Sequence, residues 1–308
     1  MKLNSQKVKQ KALKLGFSKV GISKANPTPE EKEKLFIWLA NNKNGSMEWM
    51  SKRKEERGNI FKYFKEAKSI ISVAMNYYTG SGQKGIKSDY KFSNYAWGDD
   101  YHSVLKDKLF NLLNWIKAID MDIKAVVCVD TSPVMEKVWA QKSGLGWIGK
   151  HTNLITKEYG SWVFLGEIIL DIELEYDLFF DDDLCGTCTA CIDSCPTQAL
   201  TEYLLDSRKC ISYLNIEKRG DFSEQDKELD GWIYGCDVCQ EVCPWNIKFS
   251  QVSEQKSFEA RDKIKNFSNI EWEELNRSEF KDIFKESAVK RTKYEGLKRN
   301  IERNKKSS

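Results

Sequence analysis

The sequence predicts an α/β (α+β) domain over residues 1–176, a small cysteine-rich module over 177–250 and a short, charged helical segment over 251–308. Three observations carry this division. Apolar strand-length runs alternate with helix-period segments as far as Tyr176. Eight of the nine cysteines then fall between Cys185 and Cys243. From about Ser253 the composition turns charged.

Residues 5–15 place Val8, Ala12 and Leu15 on one side at helical spacing. "KVGIS" reads as a short strand. "TPEEKEKLFIWLANNKNG" reads as a helix with Thr28 as N-cap, Pro29 at the first helical position and Asn44-Gly45 as its stop. "SIISVAMNYY" and "IKAVVCV" read as buried strands, with the long helix "DDYHSVLKDKLFNLLNWIKAI" between them. A helix is expected from Pro133 to Gly144, followed by a third strong strand in "GSWVFLGEIIL". No apolar run approaches the roughly 20 residues that cross a bilayer. The basic N-terminus has no apolar signal core. These features lead us to expect a cytoplasmic protein that does not use a membrane.

The cysteines are too clustered for a disulfide scaffold. Cys185-x2-Cys188-x2-Cys191-x3-Cys195-Pro196 has the spacing of the bacterial two-cluster ferredoxin run. In such runs three thiolates cap one iron–sulfur cube and the fourth reaches the other. The second run, Cys236-x2-Cys239-x3-Cys243-Pro244, lacks an upstream cysteine, which Cys210 can supply. The assignment then closes on two 4Fe–4S clusters. Cluster one takes Cys185, Cys188, Cys191 and Cys243; cluster two takes Cys195, Cys210, Cys236 and Cys239. A structural zinc site is the competing reading, but zinc pairs usually sit across a longer loop. Cys128, inside "AVVCV", reads as a buried core thiol.

"SGLGWIGKHT" holds Gly144-x-Gly146-x-x-Gly149, a dinucleotide-binding spacing, but a helix precedes it and a strand-like segment follows. That order is wrong for such a site. The glycines instead suit a tight turn with close backbone approach. Asp130 falls at the end of a buried strand, where ligands of open α/β sheets gather. There it can act as an acid with a raised pKa. An equal alternative is that it caps the following helix.

Together, "DTSPVMEK", "SGLGWIGKHTNLI", the doubled cysteine runs and "ISYLNIEKRG" resemble the epoxyqueuosine reductase family over roughly residues 5–300. The resemblance implies a cobalamin-binding domain similar to that of reductive dehalogenases, with a ferredoxin-like domain docked on it. It implies reduction of epoxyqueuosine to queuosine at the wobble position of tRNA. Asp130 matches the family's proton donor, and Arg57 in "RKEERGN" an arginine that contacts the corrin. "NYAWGDDYH" would flank the corrin, which places Trp97 and His102 beside it; Asn153 and Leu154 would line the same cavity. Ser212 and Tyr213 would approach from the cluster side. The DxHxxG signature is not completed, because Leu105 stands at its last position, so His102 is not a lower-ligand candidate. Longer family members carry a HEAT-like helical domain after "GLKRN".

The resemblance also leads us to expect phosphate contacts from Lys150, Lys218, Arg219, Lys290, Arg291, Lys298 and Arg299. Cluster two, nearer the surface, would accept electrons from an unidentified donor, and cluster one would pass them on. A monomer is expected. Two rival readings are a corrinoid reductase of a small molecule, similar to reductive dehalogenases, and a non-enzymatic two-cluster electron carrier.

Overall fold

A computed structural model describes residues 3–306; Met1, Lys2, Ser307 and Ser308 lie outside it. Four strands, β1 (Lys19–Lys24), β2 (Ser69–Asn76), β3 (Ala125–Cys128) and β4 (Val163–Leu170), form a sheet in the order β1-β2-β4-β3. Every pairing in it is antiparallel. The helix–strand alternation is therefore present without the parallel sheet that usually accompanies it. The rule that gathers ligands at the carboxyl ends of parallel strands does not apply here.

β2 is buried along its whole length because it lies between two strands with both faces covered. Its period-two alternation sends Ile71, Val73 and Met75 to one face and Ile70 and Ala74 to the other. The first face packs on α1 (Ser5–Lys14) through Val8 and Ala12. It also packs on the long helix whose Leu105, Leu109, Leu112 and Ile116 recur at helical spacing. The second face is covered by the short helix Glu136–Lys142, whose Trp139 and Ala140 are buried against it.

Two helix boundaries differ from expectation. The helix expected from Pro133 starts at Glu136, because Asp130 takes a left-handed φ of 50° and the chain turns through Ser132–Val134 first. The helix at Pro29 ends at Ala40 rather than at Asn44-Gly45, and Thr28 bonds the Gly58 carbonyl instead of capping it. The glycine-rich stretch is a hairpin joining Trp147–Ile148 to Leu154–Ile155. A Cβ on Gly146 would lie 2.0 Å from the Ile155 carbonyl oxygen, so only glycine allows that approach.

In the cysteine module, helical turns Ala190–Asp193 and Val238–Glu241 lie against each other. Pro244 opens the helix Pro244–Phe249, where its missing N–H leaves no bond unmade. The C-terminal segment is no loose tail. Its Trp272, Phe280, Phe284, Leu297 and Ile301 share one core with Phe92, Trp97, Ile233 and Tyr234. The helix Lys293–Lys306 also ties down a wide π-helical turn, Tyr213–Glu217. Arg299 donates to the carbonyls of Leu214, Lys218 and Gly220, while Thr292 and Asn300 donate to that of Asn215. These donors satisfy carbonyls that a π turn leaves open.

Trp272 is fully buried at the centre of the shared core. Trp272→Ala is expected to lower the unfolding free energy by about 3–5 kcal/mol in chemical denaturation.

Candidate active site

A cavity of about 330 Å³ lies between the sheet and the cysteine module. The sheet domain contributes Tyr77, Tyr101, Asp130, Glu136, Lys137, Val163, Phe164 and Leu165, and the hairpin contributes Asn153 and Leu154. Ser93 and Tyr95 come from the Ser93–Ala96 bend, and Ser212, Cys236, Asp237 and Gln240 from the cysteine module. Tyr101 stacks on Phe164 at 4.3 Å and 4°, which makes part of the wall flat and apolar.

The two halves are clamped by buried polar groups. Asp237, fully buried, accepts from Ser93 Oγ (2.6 Å), from the Asn94 backbone N–H (2.7 Å) and from Asn94 Nδ2 (3.0 Å). Burial pushes its carboxyl up, against the pull of these donors. Asn246 receives the Ser161 N–H at 2.6 Å and donates to Ser161 Oγ at 2.8 Å.

Asp130 is not a helix cap. Its carboxylate meets His102 Nε2 at 3.0 Å, and its backbone N–H donates to the Glu136 carboxylate. His102 Nδ1 lies 2.6 Å from Asp100, and its ring stacks on Tyr101 at 4.1 Å. Burial disfavours the imidazolium, but hydrogen bonds to Asp100 and Asp130 outweigh it and push His102 up to about 9. Burial likewise opposes ionisation of Asp130. The His102 bond and charge, aided by Tyr101 and Arg57, hold its carboxyl below the usual range all the same. This reverses the raised pKa expected from the sequence: the proton of the pair rests on His102.

The cysteines separate into two neighbouring sets. Cys185, Cys188, Cys191 and Cys243 line one cavity of about 130 Å³. Burial, then the charges of Cys243, Cys185 and Cys188, pushes the Cys191 thiol up to about 11. In the other set, burial raises Cys210, Cys236 and Cys239; the charge of Cys195 adds to Cys210 and Cys239. Cys239 also feels Cys191, so the sets adjoin. Such crowded thiols need cations among them to bind as thiolates, which iron supplies. Four thiols around one small cavity are the ligand number that a 4Fe–4S cube takes.

The two cysteine sets lie the other way round from the placement expected from the sequence. Cys236 of cluster two faces the Asp130 cavity, while Cys188 of cluster one is exposed. Cluster one is the outer set because its Cys185–Cys188 turn lies at the surface.

Several other expected contacts are redirected. Trp97 is buried in the C-terminal core, its indole N–H held by the Phe92 carbonyl at 2.8 Å, and does not line the cavity. Tyr213 turns away to Ser46, whose backbone N–H it receives at 2.7 Å. Arg57 is buried over Trp49 and acts on Asp130 through its charge rather than by lining the cavity. Asn153, Leu154 and Ser212 do line it. Among the cations, Lys150 is buried against Glu202 and lines the outer cysteine cavity, and Lys218 is held by Asp226. Arg219, Lys298 and Arg299 bond backbone carbonyls within the protein. Lys150, Lys218, Lys298 and Arg299 thus serve as internal staples, whereas Arg219 is exposed while it bonds the Ile216 and Arg291 carbonyls. Lys290 and Arg291 remain exposed, with Arg291 bidentate on Glu217; their charges reach Asp100 and Asp130 respectively.

Sequence reasoning missed Glu136, Lys137 and Asp237. Glu136 and Lys137 were legible as charges in "PVMEKVW", but the helix start that aims Glu136 at Asp130 was not.

A cavity that joins a cysteine-held redox centre to a proton-bearing pair defines an iron–sulfur oxidoreductase. A family model described as a 4Fe-4S double cluster binding domain matches residues 184–246, and one described as Epoxyqueuosine reductase QueG, DUF1730 matches residues 57–131. The epoxyqueuosine reductase of Cellulophaga algicola is 46% identical over 301 residues, covering 97% of this chain and 97% of its own. That of Synechocystis is 40% identical, covering 92% of this chain and 99% of its own. The solved epoxyqueuosine reductase from Streptococcus thermophilus is 28% identical with a TM-score of 0.84, covering 97% of this chain and 80% of that chain. A crystal structure of epoxyqueuosine reductase with a tRNA-Tyr epoxyqueuosine-modified stem loop is 26% identical with a TM-score of 0.86 and the same coverage. The chain belongs to the epoxyqueuosine reductase family.

Two outcomes are expected. Cys188→Ser should lose one cluster while Cys236→Ser loses the other. Paramagnetic resonance of the reduced proteins would then show two different residual signals, and identical residual signals would contradict the two-set arrangement. Protonated His102 stabilises the fold fully below its unfolded value of about 6.5. This contribution is lost as pH rises through about 9. The difference in unfolding free energy between wild type and His102→Gln should therefore shrink across that interval in denaturation at graded pH.

Proposed function

We propose that this chain reduces epoxyqueuosine to queuosine at the wobble position of tRNA. The carrying observation is that Cys236 and Asp130 face one cavity, so electrons and a proton can be delivered to the same space. The reaction removes the epoxide oxygen as water and takes up two electrons and two protons.

The family resemblance brings cobalamin to this cavity, and the residues fit it. A flat apolar wall of Tyr101, Phe164, Leu154 and Leu165 suits a macrocycle, and Asn153, Ser212 and Lys137 offer polar partners for its amide periphery. When bound, cobalamin supplies low-valent cobalt, which can reduce a carbon–oxygen bond. The protein's own groups do the remainder. Asp100 and Asp130 hold His102 protonated, and Asp130 relays that proton to the opening epoxide oxygen. The outer set of cysteines would receive electrons from a separate redox protein, and the inner set would pass them inward.

Lys290 and Arg291 would meet anticodon phosphates; their exposure and the reach of their charges to the cavity carboxylates support this. The target base must leave its stack to reach Asp130. The chain would work as a monomer in the cytoplasm, where tRNA is modified. No described helix is long and apolar enough to cross a membrane.

The test is anaerobic turnover of an epoxyqueuosine-bearing stem loop by iron- and cobalamin-loaded protein, with loss of one oxygen read by mass spectrometry. An intact epoxide after full loading would sink this reading. Asp130→Asn is expected to keep its iron and lose roughly 10²–10⁴ in turnover.

A further inference from the structure

The hairpin that lends Asn153 and Leu154 to the Asp130 cavity also reaches the outer cysteines. Its tip is held at several points. The Gly149 N–H donates to the Asn153 carbonyl at 2.9 Å, and the Thr152 N–H to the Gly149 carbonyl at 2.8 Å. Lys137 Nζ donates to the Thr152 carbonyl at 2.7 Å. Within this turn His151 is only 3% exposed, and it lines the cavity of Cys185, Cys188, Cys191 and Cys243. Its Nδ1 accepts the Asn153 backbone N–H at 3.2 Å. A ring nitrogen that accepts carries no proton, so the proton of the imidazole sits on Nε2. Nε2 is buried, and among the described residues it has no hydrogen-bond partner. A buried N–H left unmatched is costly, and such groups are rare.

The lining of the cavity limits what can accept from that N–H. Ile155, Leu184 and Pro244 present apolar side chains. The Trp245 indole is a donor, used on the Leu184 carbonyl at 3.2 Å. Lys150 is a donor as well, spent on Glu202 at 2.6 Å. Among the described residues, the side-chain atoms around this cavity that can accept are the four sulfurs. The inner set has a comparable donor, since the Ala199 N–H lies 3.3 Å from Cys195 Sγ.

We propose that His151 Nε2 donates a hydrogen bond to a sulfur of the outer 4Fe–4S cluster and thereby raises that cluster's reduction potential. An added electron increases the negative charge carried by the sulfurs. A donor aimed at them stabilises the reduced form more than the oxidised one. The apolar walls strengthen the bond. Because Nδ1 is tied to the backbone of its own turn, the ring is already oriented. His151 makes the outer set easier to reduce without touching substrate, and it does so whatever the substrate is.

The test is a redox titration of anaerobic, iron-loaded protein followed by paramagnetic resonance. His151→Leu should weaken the reduction equilibrium of one cluster roughly tenfold, a fall of about 59 mV in its midpoint, and leave the other in place. His151→Gln, which keeps an N–H, should recover part of the shift. Unchanged midpoints in His151→Leu overturn the proposal, as does an equal shift of both. Wild type labelled with nitrogen-15 histidine gives a reading that depends on no variant's folding. His102 is the only other histidine in the chain. A nitrogen coupling on the reduced-cluster signal that persists in His102→Gln supports the bond. No coupling, or one that His102→Gln abolishes, overturns it.

Discussion

The arrangement depends on one buried carboxylate. Asp237 directly follows a cluster cysteine, yet its side chain is spent on the Ser93–Asn94 bend of the other half of the molecule. Four donors converge on it, Ser93 Oγ, the Asn94 N–H and Nδ2 and Gln240 Nε2, and removing any one would leave a buried polar group less well matched. Asn246 and Ser161 repeat the device on the far side of the second cysteine run. Between these two ties the cysteine module cannot slide on the sheet domain. Cys236 therefore stays on the wall that Asp130 shares.

That rigidity bears on electrons and protons in different ways. Electron hops tolerate small displacements; proton transfer requires hydrogen-bond reach. The acid side of the cavity is accordingly the more constrained. Asp130 is fixed through both its backbone and its side chain, in a left-handed conformation unusual for a residue other than glycine. His102 is fixed from both ring nitrogens. An ionised Asp130 beside an imidazolium is a loaded pair: the proton sits one bond from the group that would deliver it.

Much of this was legible in the sequence because its signals are local. Cysteine spacing, the Cys-Pro endings and the apolar period of β2 each act over a few residues. Asp130 was legible as a carboxylate between a strand and a helix, but its pKa direction was not, because His102 lies 28 positions away. The order of the clusters failed for the same reason: which set lies inward is decided by Asp237 reaching Ser93, a contact 144 residues apart. Trp97, Tyr213 and the internal cations show the converse. Their motifs were recognisable, but their side chains answer to a C-terminal core and a π turn that no local pattern announces.

The crossing of the two cysteine runs has a consequence for how the protein matures. Each run lends one sulfur to its neighbour's set, Cys195 to the second and Cys243 to the first. Neither nest is complete until both stretches of chain have folded back on each other. Each cluster therefore needs both cysteine runs in place, so either run's folding bears on both sites.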